Sequence, residues 1–144
     1  MQIRKNKNAI ILGTFLGVLM LTLYACNKQM AFSISPIVPA ARGTVSIKKD
    51  KNENYAIDIK ISGLAEIERL QGDKKSYVVW ITTQDETAKN IGQINSSTKT
   101  LSKRLTASFQ SVSTSKPTKV FITAEEDGAV EYPGNMVVLS TEEI

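Results

Sequence analysis

The stretch Tyr55-Ala56-Ile57-Asp58-Ile59-Lys60-Ile61-Ser62 alternates large apolar side chains with small or polar ones. Successive side chains of an extended strand point to opposite faces of a sheet. The pattern therefore predicts a β-strand with one buried face and one face in water. The polar turn 50–54 precedes this strand and Gly63 follows it, and both are typical of strand limits.

A period of two recurs on both sides of this stretch. Val45 and Ile47 alternate with polar residues before it, and residues 77–82 are apolar on both faces, which predicts a central strand. Further candidate strands lie at 91–94, 101–110, 120–125 and 136–140. Residues 65–71 are a candidate helical turn that is too short to be stable alone.

Together these seven candidate strands, separated by turns, predict an all-β fold. We expect a single antiparallel immunoglobulin-like β-sandwich of about seven strands in residues 43–144. The chain has a single cysteine, so the domain has no internal disulfide and depends on packing and on sheet hydrogen bonds.

The amino-terminal segment has the pattern of a bacterial lipoprotein signal. A basic head (Arg4, Lys5 and Lys7) precedes an apolar run that ends in Leu23-Tyr24-Ala25-Cys26. We predict that residues 1–25 are a signal peptide and that Cys26 carries acyl chains such as palmitate. An uncleaved signal anchor and an ordinary secretory signal are the alternatives, although the apolar run is short against the about 20 residues of a membrane span.

Residues 26–42 separate the signal from the predicted sandwich. Pro36, Pro39 and a low charge density predict a lipidated N terminus with a tether, which would span roughly 50 Å if fully extended. In the competing interpretation, Met30, Phe32 and Ile34 alternate along a short first strand. We favour the tether.

The charge balance excludes one class of partner. The full chain has 18 basic and 14 acidic residues, and removal of the three basic residues of the signal leaves 15 against 14. Lys48, Lys49 and Lys51 are interrupted by Asp50, which is typical of a solvated turn. Because the chain has neither a basic stripe nor interleaved aromatic residues, we expect no nucleic-acid binding.

The residue types also restrict the chemistry. The chain has no histidine, which removes the usual general base, and a single cysteine cannot form a zinc site. Glu125, Glu126 and Asp127 follow a strand, and we interpret them as solvated loop residues rather than as a calcium site. The prediction is a protein without catalytic residues, metal or cofactor.

Three aromatic residues are candidates for a ligand or interface contact. Trp80 is the only tryptophan, and by alternation it faces away from Tyr77, so one of the two is expected on the less buried side of its strand. Tyr132 stands in a loop beside Pro133-Gly134, where it is either an aromatic contact point or simply part of a turn. For Trp80, packing in the core is the favoured interpretation.

Several pieces of the chain, taken in order, resemble a known family. They are Ile59–Leu64, Tyr77–Trp80, Asn90–Gly92, Val120–Glu125, Pro133-Gly134 and Val137–Ser140. Their order and spacing resemble the extracytoplasmic C-terminal domain of anti-sigma-K factors of the RskA type. The chain departs from the family pattern at two places. Glu126 stands where the family usually has proline, and the family usually has two glycines before the next proline where this chain has only Gly128.

The resemblance implies a β-sandwich outside the cytoplasm with a sensing or regulatory role in the envelope. Family members that inhibit a sigma factor carry a cytoplasmic, often zinc-binding, domain and a membrane-spanning helix, and a signal peptide stands in their place here. The resemblance therefore does not carry over direct sigma-factor binding.

We thus predict a non-enzymatic, membrane-anchored envelope lipoprotein that contacts an envelope protein partner as yet unidentified. The alternative is an envelope module that binds a small molecule or glycan, with Trp80, Tyr77 or Tyr132 as a stacking surface. Asn27 follows the cysteine where an aspartate would favour the inner membrane. In a host with two membranes we expect the periplasmic face of the outer membrane, and in a host with one, the outer face of the plasma membrane.

Overall fold

The computed structural model describes residues 29–85, 87–94 and 106–144, which form an all-β fold of eight strands. The strands are β1 (Gln29–Ala31), β2 (Arg42–Lys49), β3 (Tyr55–Ser62), β4 (Ser76–Thr82), β5 (Ala88–Ile94), β6 (Thr106–Ser113), β7 (Lys119–Glu125) and β8 (Val137–Ser140). A 3-10 turn, Ile67–Arg69, precedes β4. Within these ranges, the model has no helix that is both long enough and apolar enough to span a membrane.

The strands form two antiparallel sheets of four, in the orders β1-β2-β3-β6 and β5-β4-β7-β8. We call them sheet A and sheet B. In sheet A, the alternation predicted for β3 is confirmed, because Ile57, Ile59 and Ile61 are buried while Asp58 and Lys60 lie on the outer face. Ile59 pairs laterally with residues of both neighbouring strands, so β3 is held on its two edges.

The inner faces of the two sheets share one hydrophobic core. Sheet B contributes Tyr77, Val79 and Ile81 of β4, which are almost completely buried. Strand β4 lies between β5 and β7, so the prediction of a central strand at 77–82 is confirmed. The predicted strand at 101–110 begins at Thr106 within the described residues, and residues 101–105 lie outside them.

The prediction of a tether is wrong for residues 29–42. Strand β1 pairs with β2, and the Phe32 N–H donates to the Gly43 carbonyl at 3.0 Å. The next amide, that of Ser33, donates to the Ser140 carbonyl of sheet B at 2.9 Å. This segment therefore belongs to the sandwich and links its two sheets.

The competing interpretation of a first strand was the better one. Met30 lies in β1, and the Phe32 side chain is buried, but Ile34 is 72% exposed because the chain leaves the sheet after Ser33. A bend follows in which the Ser35 hydroxyl accepts a hydrogen bond from the Val38 N–H at 2.9 Å. The prolines mark this bend, and buried side chains lie on both sides of it.

Replacement of Phe32 tests whether the segment stabilises the fold. Phe32→Ala removes a buried ring and leaves a cavity, so we expect the free energy of unfolding to fall by about 3 kcal/mol. Ile34→Ala, two residues later on an exposed side chain, is the matched control and should change it by less than about 0.5 kcal/mol. Urea denaturation followed through Trp80 fluorescence measures both, and similar small effects would mean that the segment is a tether after all.

Candidate functional site

Trp80 lies on the outer face of sheet B and is nevertheless fully buried. Its indole N–H donates to the Thr123 hydroxyl at 2.8 Å, and its ring stacks on Phe121 with centroids 6.2 Å apart and an interplanar angle of 12°. The register pairs Trp80 with Phe121 on one side and with Asn90 on the other. Trp80 is therefore held by its neighbours in the sheet, outside the core between the sheets.

The loop 126–136 is fastened to this outer face through Asn90. The Asn90 side-chain amide donates to the carbonyls of Gly128 at 3.0 Å and Val130 at 2.9 Å. The same side chain accepts a hydrogen bond from the Gly92 N–H at 3.0 Å, across a bulge in β5. The side-chain oxygen thus holds Asn90 in β5, and its amide nitrogen fixes the loop relative to the sheet.

A second fastening lies at the end of β7. Glu125 is only 5% exposed, and its carboxylate accepts the Gly134 N–H at 2.7 Å. The prediction of a solvated carboxylate is therefore wrong for Glu125, whereas Glu126 and Asp127 are exposed. The loop that follows β7 turns back over the sheet and buries the carboxylate against its own backbone.

A close side-chain contact accounts for Gly128, one of the two glycines in this loop. Gly128 lies against the Gln93 side chain, which a Cβ at position 128 would overlap. Gln93 is held in place because its side-chain oxygen accepts a hydrogen bond from the Ser76 hydroxyl at 2.7 Å. A larger residue at 128 would force the Gln93 side chain to move and so to give up its hydrogen bond with Ser76.

Tyr77 lies on the opposite face of β4, in the core, and is also fully buried. Its hydroxyl donates to the Ala65 carbonyl at 2.9 Å. Burial, together with the nearby negative charge of Glu68, raises the pKa of Tyr77 to about 12, so the phenol remains protonated and keeps donating. The expectation that either Tyr77 or Trp80 faces a less buried side is wrong, because the loop covers the outer face.

Of the three predicted contact residues, Tyr132 alone is at the surface, with 73% of its area exposed. It belongs to the loop 126–136, so its backbone is positioned by the contacts of Asn90 and Glu125. Cys26, the predicted acylation site, lies outside the described residues. Trp80 and Tyr77 cannot stack on a ligand without opening the fold.

The outer face of sheet A holds an open groove of about 620 Å³ that the sequence analysis did not single out. Thr44, Ser46 and Lys60 line it, and across it the Gln110 amide donates to the Asp58 carboxylate at 3.4 Å. Among the described residues that line the groove, none is aromatic. In the sequence, this groove corresponds to the polar positions of the alternating strands. Such positions by themselves predict only a face in contact with water.

The described part of the chain contains no cluster of three or more histidine, cysteine, aspartate or glutamate residues that could hold a metal ion.

Comparisons with protein-family models, with curated proteins and with solved structures found no match for this chain.

Replacement of Asn90 tests the fastening of the loop. Asn90→Ala removes the donor to two carbonyls, so we expect a loss of about 1–3 kcal/mol in the free energy of unfolding. Trp80 should also become more accessible to acrylamide and its emission should shift to the red. Asn135→Ala, on an exposed side chain of the same loop, is the control and should leave Trp80 protected. Equal quenching in the two variants would show that the loop does not cover Trp80 in the way described.

Proposed function

We propose that this chain is a lipid-anchored protein of the bacterial cell envelope that acts by contact with another envelope protein and catalyses no reaction. The signal pattern that ends in Cys26 supports the anchor. The absence of histidine from the sequence supports a non-catalytic role, because the usual general base is missing. The observation that carries the contact function is the exposed Tyr132 on a loop held at defined points.

The strand order supports an immunoglobulin-like assignment within the β-sandwich class. The order β5-β4-β7-β8 corresponds to strands C′-C-F-G of such domains, and β2-β3-β6 corresponds to A-B-E. The place of strand D, between β5 and β6, falls on residues 95–105, which lie outside the described part. One feature differs, since Trp80 of the C-like strand points away from the core.

The family resemblance supports a sensing or regulatory role in the envelope. The quoted pieces include Trp80, Asn90, Glu125 and Gly134, which meet in one assembly around the loop. This assembly holds an exposed loop, and the sequence shows neither the cytoplasmic domain nor the histidines of a zinc site that sigma-factor inhibitors of the family carry. We therefore propose an extracytoplasmic contact module without sigma-factor inhibition.

A loop whose backbone is already ordered is favourable for binding a partner. Free loops lose conformational entropy when a partner orders them, and that loss lowers affinity. The Asn90 and Glu125 contacts have already ordered the backbone of this loop, so that loss is smaller. Tyrosine is enriched among the residues that dominate binding energy at interfaces. Tyr132 has the exposure and the rigid support that such a residue needs.

The groove of sheet A favours the second candidate function, a module that binds a small molecule or glycan. Hydroxyl, amide and carboxylate groups of Thr44, Gln110 and Asp58 there can form hydrogen bonds with a polar ligand. Trp80 and Tyr77, the stacking residues of this alternative, are both fully buried, so neither ring is available to a ligand at the surface. Because none of the described lining residues is aromatic, a glycan in this groove would be held without ring stacking.

The anchor is tested with Cys26→Ser. We expect the wild-type protein to incorporate a labelled fatty acid and to fractionate with membranes, since two or more acyl chains give stable attachment. The variant should lose the label, remain unprocessed at the lipoprotein site and show a different mass. A variant that sediments with membranes at the same processed mass, from a wild type that carries no label, would contradict the anchor.

The contact function is tested by photo-crosslinking in the native cells. A benzoylphenylalanine at position 132 of the full chain should give an adduct with a specific envelope protein. The same group at position 112 is the control, because Val112 is 60% exposed on the outer face of the other sheet. Adducts at 112 but not at 132 would move the function to the groove face, and the absence of adducts at both would argue against protein contact.

A further inference from the structure

We infer that the end of the sandwich where β1 begins lies directly against the bilayer, and that Lys48 and Lys51 there contact anionic lipid headgroups. The inference rests on the proposed acylation of Cys26. It names the surface that such an anchor would hold at the membrane.

The chain between Cys26 and β1 is short. Gln29 is already paired in β1, and it stands three residues after Cys26. Three residues span at most about 10 Å even when fully extended. The acyl chains insert in the hydrocarbon region, so the start of β1 has to remain within the reach of the headgroup layer. A tether up to residue 42 would have allowed the domain to move freely, and the paired segment removes that freedom.

The strand pairing determines which loops lie at the same end of the sandwich as the start of β1. Gln29 pairs with Ser46, and β2 continues from there to Lys49 and the turn 50–54. Tyr55, the first residue of β3, pairs with Ser113, the last of β6, so the connection 114–118 lies at the same end. We call this the anchor end. It carries the exposed Lys48, Lys49 and Lys51 of the β2–β3 turn and Lys116 of the β6–β7 connection.

The charged side chains at the anchor end differ in whether they have a partner within the domain. Lys49 forms an ion pair with Glu53 at 2.8 Å. The Asp50 carboxylate accepts the N–H groups of Asn52 and Asn54 at 2.7 and 2.9 Å, which builds the turn. Lys48 and Lys51 form no ion pair with another described residue. The same holds for Lys116, and of these three lysines Lys48 and Lys51 lie together beside the start of β1. Their ammonium groups are available to phosphate oxygens, and anionic leaflets attract lysines near the surface.

Acidic residues at the same end determine which side approaches the membrane. The Ile144 N–H donates to the Thr118 carbonyl at 2.8 Å, and residues 141–144 line one pocket with residues 30–33, so the exposed Glu142 and Glu143 lie beside β1. The lysines at 48 and 51 lie on the other side of β1, toward the β2–β3 turn. The domain should therefore tilt about β1 so that the β2–β3 turn is nearer to the headgroups than Glu142 and Glu143.

The opposite end supplies a matched reference. Strand β3 has eight residues, about 26 Å in an extended strand, and leads from the turn to the segment 63–75. That segment carries three acidic residues (Glu66, Glu68 and Asp73) and three basic ones (Arg69, Lys74 and Lys75), so its charges balance. Its adjacent Lys74 and Lys75 lie far from the start of β1.

The experiment uses the acylated full chain with one added cysteine. Because Cys26 is the only native cysteine and would be blocked by lipid, an NBD label on Asn52→Cys or Asp73→Cys is specific. Each protein is reconstituted in vesicles of phosphatidylcholine and phosphatidylglycerol that contain a headgroup spin label. We expect at least twofold stronger quenching at position 52 than at 73. Equal quenching, or stronger quenching at 73, would overturn the orientation.

The lysine contact is tested separately, by a comparison of two lipid compositions. In vesicles of phosphatidylcholine alone, we expect weaker quenching at position 52 than in vesicles that also contain phosphatidylglycerol. Lys48→Gln together with Lys51→Gln should abolish this difference. Lys74→Gln with Lys75→Gln, at the opposite end, is the control and should keep the difference. A difference that persists in the Lys48/Lys51 variant would overturn the contact with anionic lipid.

Flotation of the unlabelled protein separates this inference from the proposed function. A chain that does not float with the vesicles lacks its acyl anchor, and then the proposed function fails together with the inference. A chain that floats and is quenched equally at both positions retains the anchor, and only the orientation is wrong.

Discussion

Strand β4 carries large apolar side chains on both of its faces, and a sheet of a two-layer sandwich offers a protein cover for only one of them. Tyr77, Val79 and Ile81 use the core, whereas Val78 and Trp80 need a second cover. Burial of about 200 Å² of aromatic surface is worth about 5 kcal/mol at about 25 cal/mol per Å², as an upper value. The loop 126–136 provides that cover, so its position follows from the composition of one strand.

The polar contacts of this loop have a different role from the apolar burial beneath it. Each hydrogen bond from Asn90 contributes only about 0.5–1.5 kcal/mol net, which is less than the burial of the indole. Their geometry, however, fixes where the loop lies, since Asn90 reaches two carbonyls and Glu125 reaches the Gly134 amide. Burial of Trp80 thus supplies most of the stabilisation, and the hydrogen bonds determine the direction in which Tyr132 points.

Sequence periodicity predicted the parts of the fold that depend on a repeating pattern. The alternation around Ile59 predicted the strand, its buried face and its limits, because each position has the same environment two residues later. It did not predict the cover on Trp80, since alternation only says that Trp80 and Tyr77 face opposite ways. What covers the outer face depends on a loop more than forty positions further along the chain, and no local pattern encodes that contact. The tether was predicted from Pro36 and Pro39, which mark a bend equally well inside a folded segment.

The early pairing of β1 distinguishes one end of the sandwich from the other. A domain on a long tether samples a hemisphere of orientations, and any exposed surface can then meet a partner. Here the paired Gln29 leaves only three residues after Cys26, so an acylated chain has one end committed to the bilayer. The loop 126–136 leaves β7 at Glu125, at the opposite end, and then turns back over the outer face of sheet B, where Asn90 holds Gly128 and Val130. A partner that contacts Tyr132 would therefore approach this outer face and not the anchor end, which favours a protein that extends from the membrane beside the domain or from the layer above it.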